Sequence, residues 1–208
     1  MTDTNSRLPK PSLFSLITVP LAVASTPVTS VKVLIDANVL YPTVLREVVL
    51  GVAAQGVFTP LWSERILEEW RLAAARNGHG AIADPEIVGV RAQFPGAVVT
   101  VSPDTETRLS LPDPDDVHVL AAAIDGDADE LLTMNLKDFP TNALASHGVI
   151  RREPDGFLVE AFHSDGDLVR GVVANVFRKA EAHGIDVSTP RAVLKRARVP
   201  RLGKVLFG

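Results

Sequence analysis

Residues 31–38 have the sequence VKVLIDAN, and this stretch decides the fold class. Only Lys32 interrupts its apolar beginning, and a run so rich in β-branched side chains is typical of a parallel strand buried on both faces. Asp36 ends the strand. Ligands bind outside the carboxyl ends of the strands in open parallel sheets, so Asp36 is the first candidate functional residue. A carboxylate at this position is equally typical of a helix N-cap.

Strand-like and helix-like segments alternate after this stretch. Short β-branched runs predict strands at 57–61, 97–101 and 130–134 and from 149, and apolar residues at helical spacing predict helices at 39–55, 64–75, 85–94 and 115–124. Ser63 is placed to cap the second of these helices. Strands separated by helices predict a three-layer α/β/α fold with a central parallel sheet.

The chain of 208 residues has room for one domain with a hydrophobic core and an appendage. We predict an α/β domain over residues 31–153 and a small helical C-terminal extension over 154–208, broken near 164–167 and ending in a basic helix. Residues 1–30 contain four prolines and predict a flexible leader. Its apolar run at 13–24 is too short to span a bilayer, although it also fits a secretory signal.

The net charge of −4 hides an uneven distribution of charge. Acids concentrate between residues 113 and 130, whereas the chain from Arg191 onward has six basic residues and no acid. An acidic centre with a basic tail can hold a cation at one place and phosphates at another. Because the chain has no cysteine, disulfide frameworks and thiolate zinc sites are excluded.

Four groups of polar residues are candidates for a common site: Asp36 with Asn38, Glu68 with Glu69, Asp113 with Asp115 and Asp116, and Asn135 with Asp138. Taken singly, each suits a helix cap, a solvated helix face or a loop. Taken together, carboxylates and amides are the ligands that Mg²⁺ or Mn²⁺ prefers. The five histidines are scattered, and we expect a packing or surface role for His118. The glycine motifs of P-loop, dinucleotide-binding and serine-hydrolase sites are absent from the sequence.

These motifs, in this order, resemble those of the PIN-domain family, particularly its VapC-type toxin ribonucleases. The matching stretches are VLIDANVL at 33–40, SERILEEW at 63–70, DPDD at 113–116 with HVLAAA at 118–123, and TMNLKDF at 133–139. The resemblance implies a compact parallel α/β/α fold and Mg²⁺- or Mn²⁺-dependent hydrolysis of RNA. The residues after 154 are similar to a helical extension found in one branch of the family.

The resemblance also implies roles for individual residues. By position in these motifs, Asp36 corresponds to the first catalytic acid of the family, Glu69 to the second and Asp116 to the third. Glu69 is favoured over Glu68 by its place six residues after Ser63.

The fourth family position is often Asp but is Asn135 in this chain. Asn is a neutral oxygen ligand, so it weakens a second metal site, and Asp138 is expected to supply the missing charge. We therefore expect one metal ion bound mainly by the three acids, with the helpers Asn38, Asp113 and Asp115.

The resemblance implies a cytoplasmic protein with an RNA substrate, a small antitoxin that blocks the acidic groove, a homodimer and no membrane segment. The basic tail has three interpretations. It contacts RNA phosphates through Arg196 and Arg198, it contacts the partner protein, or it is a solvated helix.

Two other functions are compatible with the residues. A PIN-like module whose site is degenerate at Asn135 would bind RNA or protein without cleaving RNA. A phosphatase of the haloacid-dehalogenase type is indicated by Asp36-Ala37-Asn38, which is similar to the DxD strand end of that class. That chemistry needs a second acid, and Asn38 can neither donate nor accept the proton.

Overall fold

The computed structural model describes residues 30–208 and contains a five-stranded parallel sheet. The strands lie in the order β3-β2-β1-β4-β5, and their bounds are β1 Lys32–Ile35, β2 Thr59–Ser63, β3 Val98–Val99, β4 Glu130–Leu132 and β5 Ile150–Arg152. The predicted leader, residues 1–30, lies outside the described residues except for Ser30.

β1 is the central strand, as the apolar run predicted. Val33, Leu34 and Ile35 are fully buried, and Leu34 pairs with Leu61 of β2 and Leu131 of β4. Burial of such a side chain contributes about 1.5–3 kcal/mol relative to exposure. The strand therefore fixes the middle of the sheet and places Asp36 at its carboxyl edge.

Helices flank the sheet and complete the three-layer α/β/α fold that the alternation of segments predicted. Their bounds are α1 Ala37–Leu40, α2 Thr43–Ala53, α3 Glu64–Arg76, α4 Gly80–Gln93, α5 Pro103–Thr107, α6 Val117–Asp125, α7 Thr141–Ala145, α8 Pro154–Ser164, α9 Gly166–Ala182, α10 Pro190–Arg196 and α11 Pro200–Phe207. In the described part of the chain, no helix is long and apolar enough to cross a membrane.

The single helix predicted at 39–55 is wrong, because the structure divides it into α1 and α2. Pro42 has an extended backbone and cannot donate a hydrogen bond, so the helix cannot continue through it. The guanidinium of Arg46 donates to the carbonyl oxygens of Leu40 at 2.9 Å and Tyr41 at 3.4 Å. These bonds satisfy carbonyls that the end of α1 leaves without helical partners.

Other element bounds differ from the predictions where sheet pairing or local capping decides them. β2 begins at Thr59 rather than at residue 57, because Thr59 is the residue that pairs with Lys32. α4 begins at Gly80, five residues before its predicted start, and contains Pro85. The short helices α5 and α7 are too brief to show helical periodicity. The capping role of Ser63 is confirmed, since its Oγ accepts from the N–H of Ile66 at 3.2 Å.

The four C-terminal helices pack on one another and on the sheet domain. α8 contacts α9 and α11, α10 contacts α11, and α9 lies against α2. Asp155, buried in the first turn of α8, accepts from the backbone N–H groups of Arg201 and Leu202 at 2.9 Å each. This carboxylate therefore caps the beginning of α11 from a different helix.

Candidate active site

Asp36 lies at the carboxyl end of β1 and is 95% buried. Its Oδ2 accepts from Thr133 Oγ1 at 2.7 Å and from Asn38 Nδ2 at 2.5 Å. The carboxylate accepts no capping hydrogen bond from α1, so the N-cap interpretation does not describe it. Among the described residues, both side-chain donors to this carboxylate bind Oδ2, and none binds Oδ1. Burial raises the pKa of Asp36 above its ordinary value, and the charge of Glu69 raises it further.

Thr133 and Asn38 join the ends of β1 and β4 around this carboxylate. Thr133 Oγ1 accepts from the N–H of Asn135 at 2.9 Å, and Asn38 Oδ1 accepts from the N–H of Met134 at 2.9 Å. Thr133 is fully buried. Thr133 was not among the predicted site residues because threonine is a common strand residue, although a polar residue after a buried strand is the signal that identified Asp36.

Asp116 ends a short 3-10 turn, Pro114–Asp116, at the beginning of α6. Asp113 Oδ1 caps this turn by accepting from the N–H of Asp115 at 3.0 Å. Oxygen atoms of Asp113, Asp116 and Asp138 all lie within 4.8 Å of one another. Three carboxylates at this separation repel one another unless a cation offsets their charge.

The pKa of Asp116 is raised both by its burial and by this repulsion. Its value rises to about 6, first through burial and then through the charges of Asp36, Asp113, Asp138 and Glu69. Asn135 Nδ2 donates to Asp116 Oδ2 at 2.8 Å and favours the ionised carboxylate. Asp36, Glu69, Asp113 and Asp138 are therefore all close enough to Asp116 for their charges to affect its pKa.

The structure distinguishes Glu69 from Glu68. Glu69 lines the same pocket as Asp36, whereas Glu68 lies outside that lining and pairs with Arg71. His118 is buried, and its Nε2 lies 2.7 Å from Glu69 Oε1 in a direction unsuitable for an N–H hydrogen bond. Its position beneath Glu69 accords with the expected packing role and gives the carboxylate one fixed neighbour.

These groups surround a cavity of about 870 Å³ at the carboxyl edge of the sheet. Its lining includes seven residues predicted from the sequence, namely Asp36, Asn38, Glu69, Asp115, Asp116, Asn135 and Arg198, together with Tyr41 and Arg76. Asp113 and Asp138 do not line the cavity, but their carboxylates lie next to that of Asp116, which does. Arg196 lines a different cavity with Pro42, Ile185 and Asp186.

The donor set fits a hard divalent cation. The grouped acids offer carboxylate oxygens, and neighbouring negative charges add to the effect of burial in raising the pKa of Asp116. Mg²⁺ and Mn²⁺ prefer such oxygen ligands. Asp113, Asp116 and Asp138, whose oxygens lie within 4.8 Å of one another, can therefore hold such an ion, and Asp36 and Glu69 line the adjoining pocket.

Metal-free protein should gain stability when Asp116→Asn removes this charge. A carboxylate whose pKa rises from 3.8 to about 6 on folding lowers the free energy of unfolding progressively as pH rises through that interval. The shift corresponds to nearly 3 kcal/mol, and solvent screening of this partly exposed group reduces it to about 1 kcal/mol. Urea unfolding in EDTA should show the gain at pH 7.5 and little difference at pH 4. The exposed Asp84→Asn serves as control, and an equal gain in both variants would contradict the prediction.

Comparison with known proteins gives one match. Residues 32–137, about half of the chain, match a family model described as PIN domain. The matched range includes Asp36, Glu69, Asp116 and Asn135 and ends before Asp138. Searches of curated proteins and of solved structures found no significant match.

Proposed function

Because this chain belongs to the PIN domain family, whose fold is of the nuclease type, we propose that it is a metal-dependent ribonuclease. One observation carries the proposal: Asp36, Glu69 and Asp116, from three distant parts of the chain, line one pocket. A parallel sheet presents such residues to a common crevice, and carboxylates grouped there can hold the cation of a metal-dependent nuclease.

Asp36, Glu69 and Asp116 are proposed to hold one Mg²⁺ or Mn²⁺, with Asp138 contributing charge through its proximity to Asp116. When bound, such an ion polarises a phosphoryl oxygen and lowers the pKa of water. We propose that the reaction is hydrolysis of an RNA phosphodiester bond by water.

The protein's own residues orient the acids. Thr133 and Asn38 hold Oδ2 of Asp36, so the side chain keeps one orientation. Asn135 holds Oδ2 of Asp116 in the same way. Rigid carboxylates need no reorganisation during the reaction, which is the main contribution that such a site makes to rate.

The finer proposal, from the VapC-type resemblance, is that the chain is the toxin of a type II toxin–antitoxin pair in the cytoplasm. Its partner would be a small antitoxin that covers the acidic pocket, and the toxin would form a homodimer. A neighbouring open reading frame for a small protein would support this assignment, and co-purification of the two chains would test it.

Cleavage of labelled structured and unstructured RNAs tests the ribonuclease proposal. Cleavage should occur with Mg²⁺ or Mn²⁺, stop on addition of EDTA and return when metal is restored in excess. The acids alone repel the RNA backbone, so activity that persists in EDTA would overturn the metal-dependent mechanism.

A second candidate function is a PIN-like module that binds RNA or protein without cleavage. The observation that favours it is Asn135, whose amide donates to Asp116 where a further carboxylate would otherwise add negative charge. Tight RNA binding without cleavage in either metal would support this candidate and exclude the ribonuclease.

A further inference from the structure

Two arginines, Arg76 and Arg198, line the acidic pocket from different elements. Arg76 ends α3, and Arg198 follows α10 in the C-terminal helices. Both side chains are exposed, and neither forms an ion pair within residues 30–208. An arginine beside an acidic pocket usually pairs with an acid, so these two guanidinium groups keep their donors for another ligand.

The backbone at Arg198 is unusual for an arginine. Its φ of 64° lies in the left-handed region, and the N–H groups of Arg198 and Val199 donate to the carbonyls of Lys195 and Leu194. This pattern is a Schellman motif, in which the left-handed position is normally glycine. A side chain with a Cβ is strained there by about 1 kcal/mol. If residue 198 served only to end helix α10, glycine would be favoured over arginine at this position.

The segment that carries Arg198 is held firmly. Val199 and Leu202 are fully buried, and Asp155 caps the following helix α11. Tight packing of these neighbours limits the movement of the backbone at Arg198, so its side chain extends to the pocket lining from a backbone position that is held in place.

Resting on the proposed ribonuclease function, we propose that Arg198, together with Arg76, binds RNA phosphates next to the scissile one. The acidic cluster repels the RNA backbone on either side of any bound cation, and guanidinium groups offset that repulsion with paired hydrogen bonds to phosphate oxygens. Arg198 is a substrate-binding residue in this assignment. The C-terminal helices consequently form one wall of the substrate site.

The variant Arg198→Gly distinguishes a role of Arg198 in phosphate binding from a role in stabilising the fold. Glycine suits the left-handed position, so the melting temperature should stay equal or rise. Loss of a charged hydrogen bond to phosphate should raise KM by roughly tenfold or more, while kcat changes little. The measurement is steady-state cleavage, with Mg²⁺, of a fluorophore-labelled single-stranded RNA of mixed sequence by the full chain. Arg191→Ala, an exposed arginine of α10 outside the pocket lining, is the matched control.

Binding of the same RNA to proteins that also carry Asp36→Asn gives a second measurement without cleavage. Arg198→Gly should reduce the slope of log affinity against log salt by about 0.7, the contribution of one phosphate contact in a single strand, and Arg198→Lys should restore it. If wild type cleaves and Arg198→Gly matches Arg191→Ala in both KM and salt slope, the inference is overturned and the ribonuclease proposal stands. If wild type cleaves no RNA with either metal, the proposed function fails, and so does the inference that rests on it.

Discussion

Asp36→Asn is expected to lower the rate of metal-dependent RNA cleavage by about a thousandfold or more. The substitution keeps the shape of the side chain and an oxygen for Thr133, but it removes the negative charge from the most buried acid of the site. Loss of a single preorganised electrostatic group typically lowers kcat by a hundredfold to a thousandfold, and loss of a central catalytic group lowers it further.

Stability should not fall with activity in this variant. Burial raises the pKa of Asp36, so the ionised carboxylate destabilises the metal-free fold at pH values above that raised pKa. The melting temperature of Asp36→Asn in EDTA at pH 7.5 should therefore equal or exceed that of wild type. Asp84→Asn makes the same charge change on α4, where the side chain is 69% exposed, and should leave cleavage unchanged. Retention of cleavage within tenfold of wild type by Asp36→Asn would remove Asp36 from the proposed mechanism.

Arg46→Ala is expected to lower the free energy of unfolding by about 3–5 kcal/mol. The guanidinium is 1% exposed, donates to Glu86 Oε1 at 2.6 Å and lies 4.5 Å from the ring centroid of Trp70. Truncation leaves the carbonyls of Leu40 and Tyr41 without their donor and opens a cavity beside Trp70.

Urea unfolding measures this loss, with Arg71→Ala as the matched control. Arg71 also pairs with a glutamate, Glu68, but both side chains are about half exposed, and exposed pairs contribute well under 1 kcal/mol. A similar, small effect of both substitutions would show that α1 and α2 hold their junction without Arg46.

The central sheet could be predicted from sequence because its determinants are local. The apolar run at 33–35 and the cap at Ser63 each depend only on residues that are near one another in the sequence. The division of the helix at Pro42 could not be predicted, because the apolar periodicity on either side continues through this residue. The side chain of Arg46, which donates to the carbonyl of Leu40 at the break, makes this contact only in the folded structure. Five-residue helices such as α7 are too short to show a period at all.

The candidate site divides in the same way. Strand-end position and residue type identified Asp36, and a capping pattern placed Asp116 at the beginning of a helix. The contribution of Thr133 depends on β1 and β4 being neighbours, which no pattern within either strand reveals. The different surroundings of Arg196 and Arg198 depend on one left-handed residue at the end of α10.

The neighbouring position of β1 and β4 also affects how the protein is made. The bond from Thr133 to Asp36 joins residues 97 positions apart, so the first acid acquires its partner only after most of the sheet domain has left the ribosome. Contacts of such long sequence separation form late and slowly. Arg198, 65 positions after Thr133, arrives later still. A nascent chain therefore carries Asp36 and Glu69 before it carries the residues that complete their pocket, and the candidate site can form only after Arg198 has been synthesised.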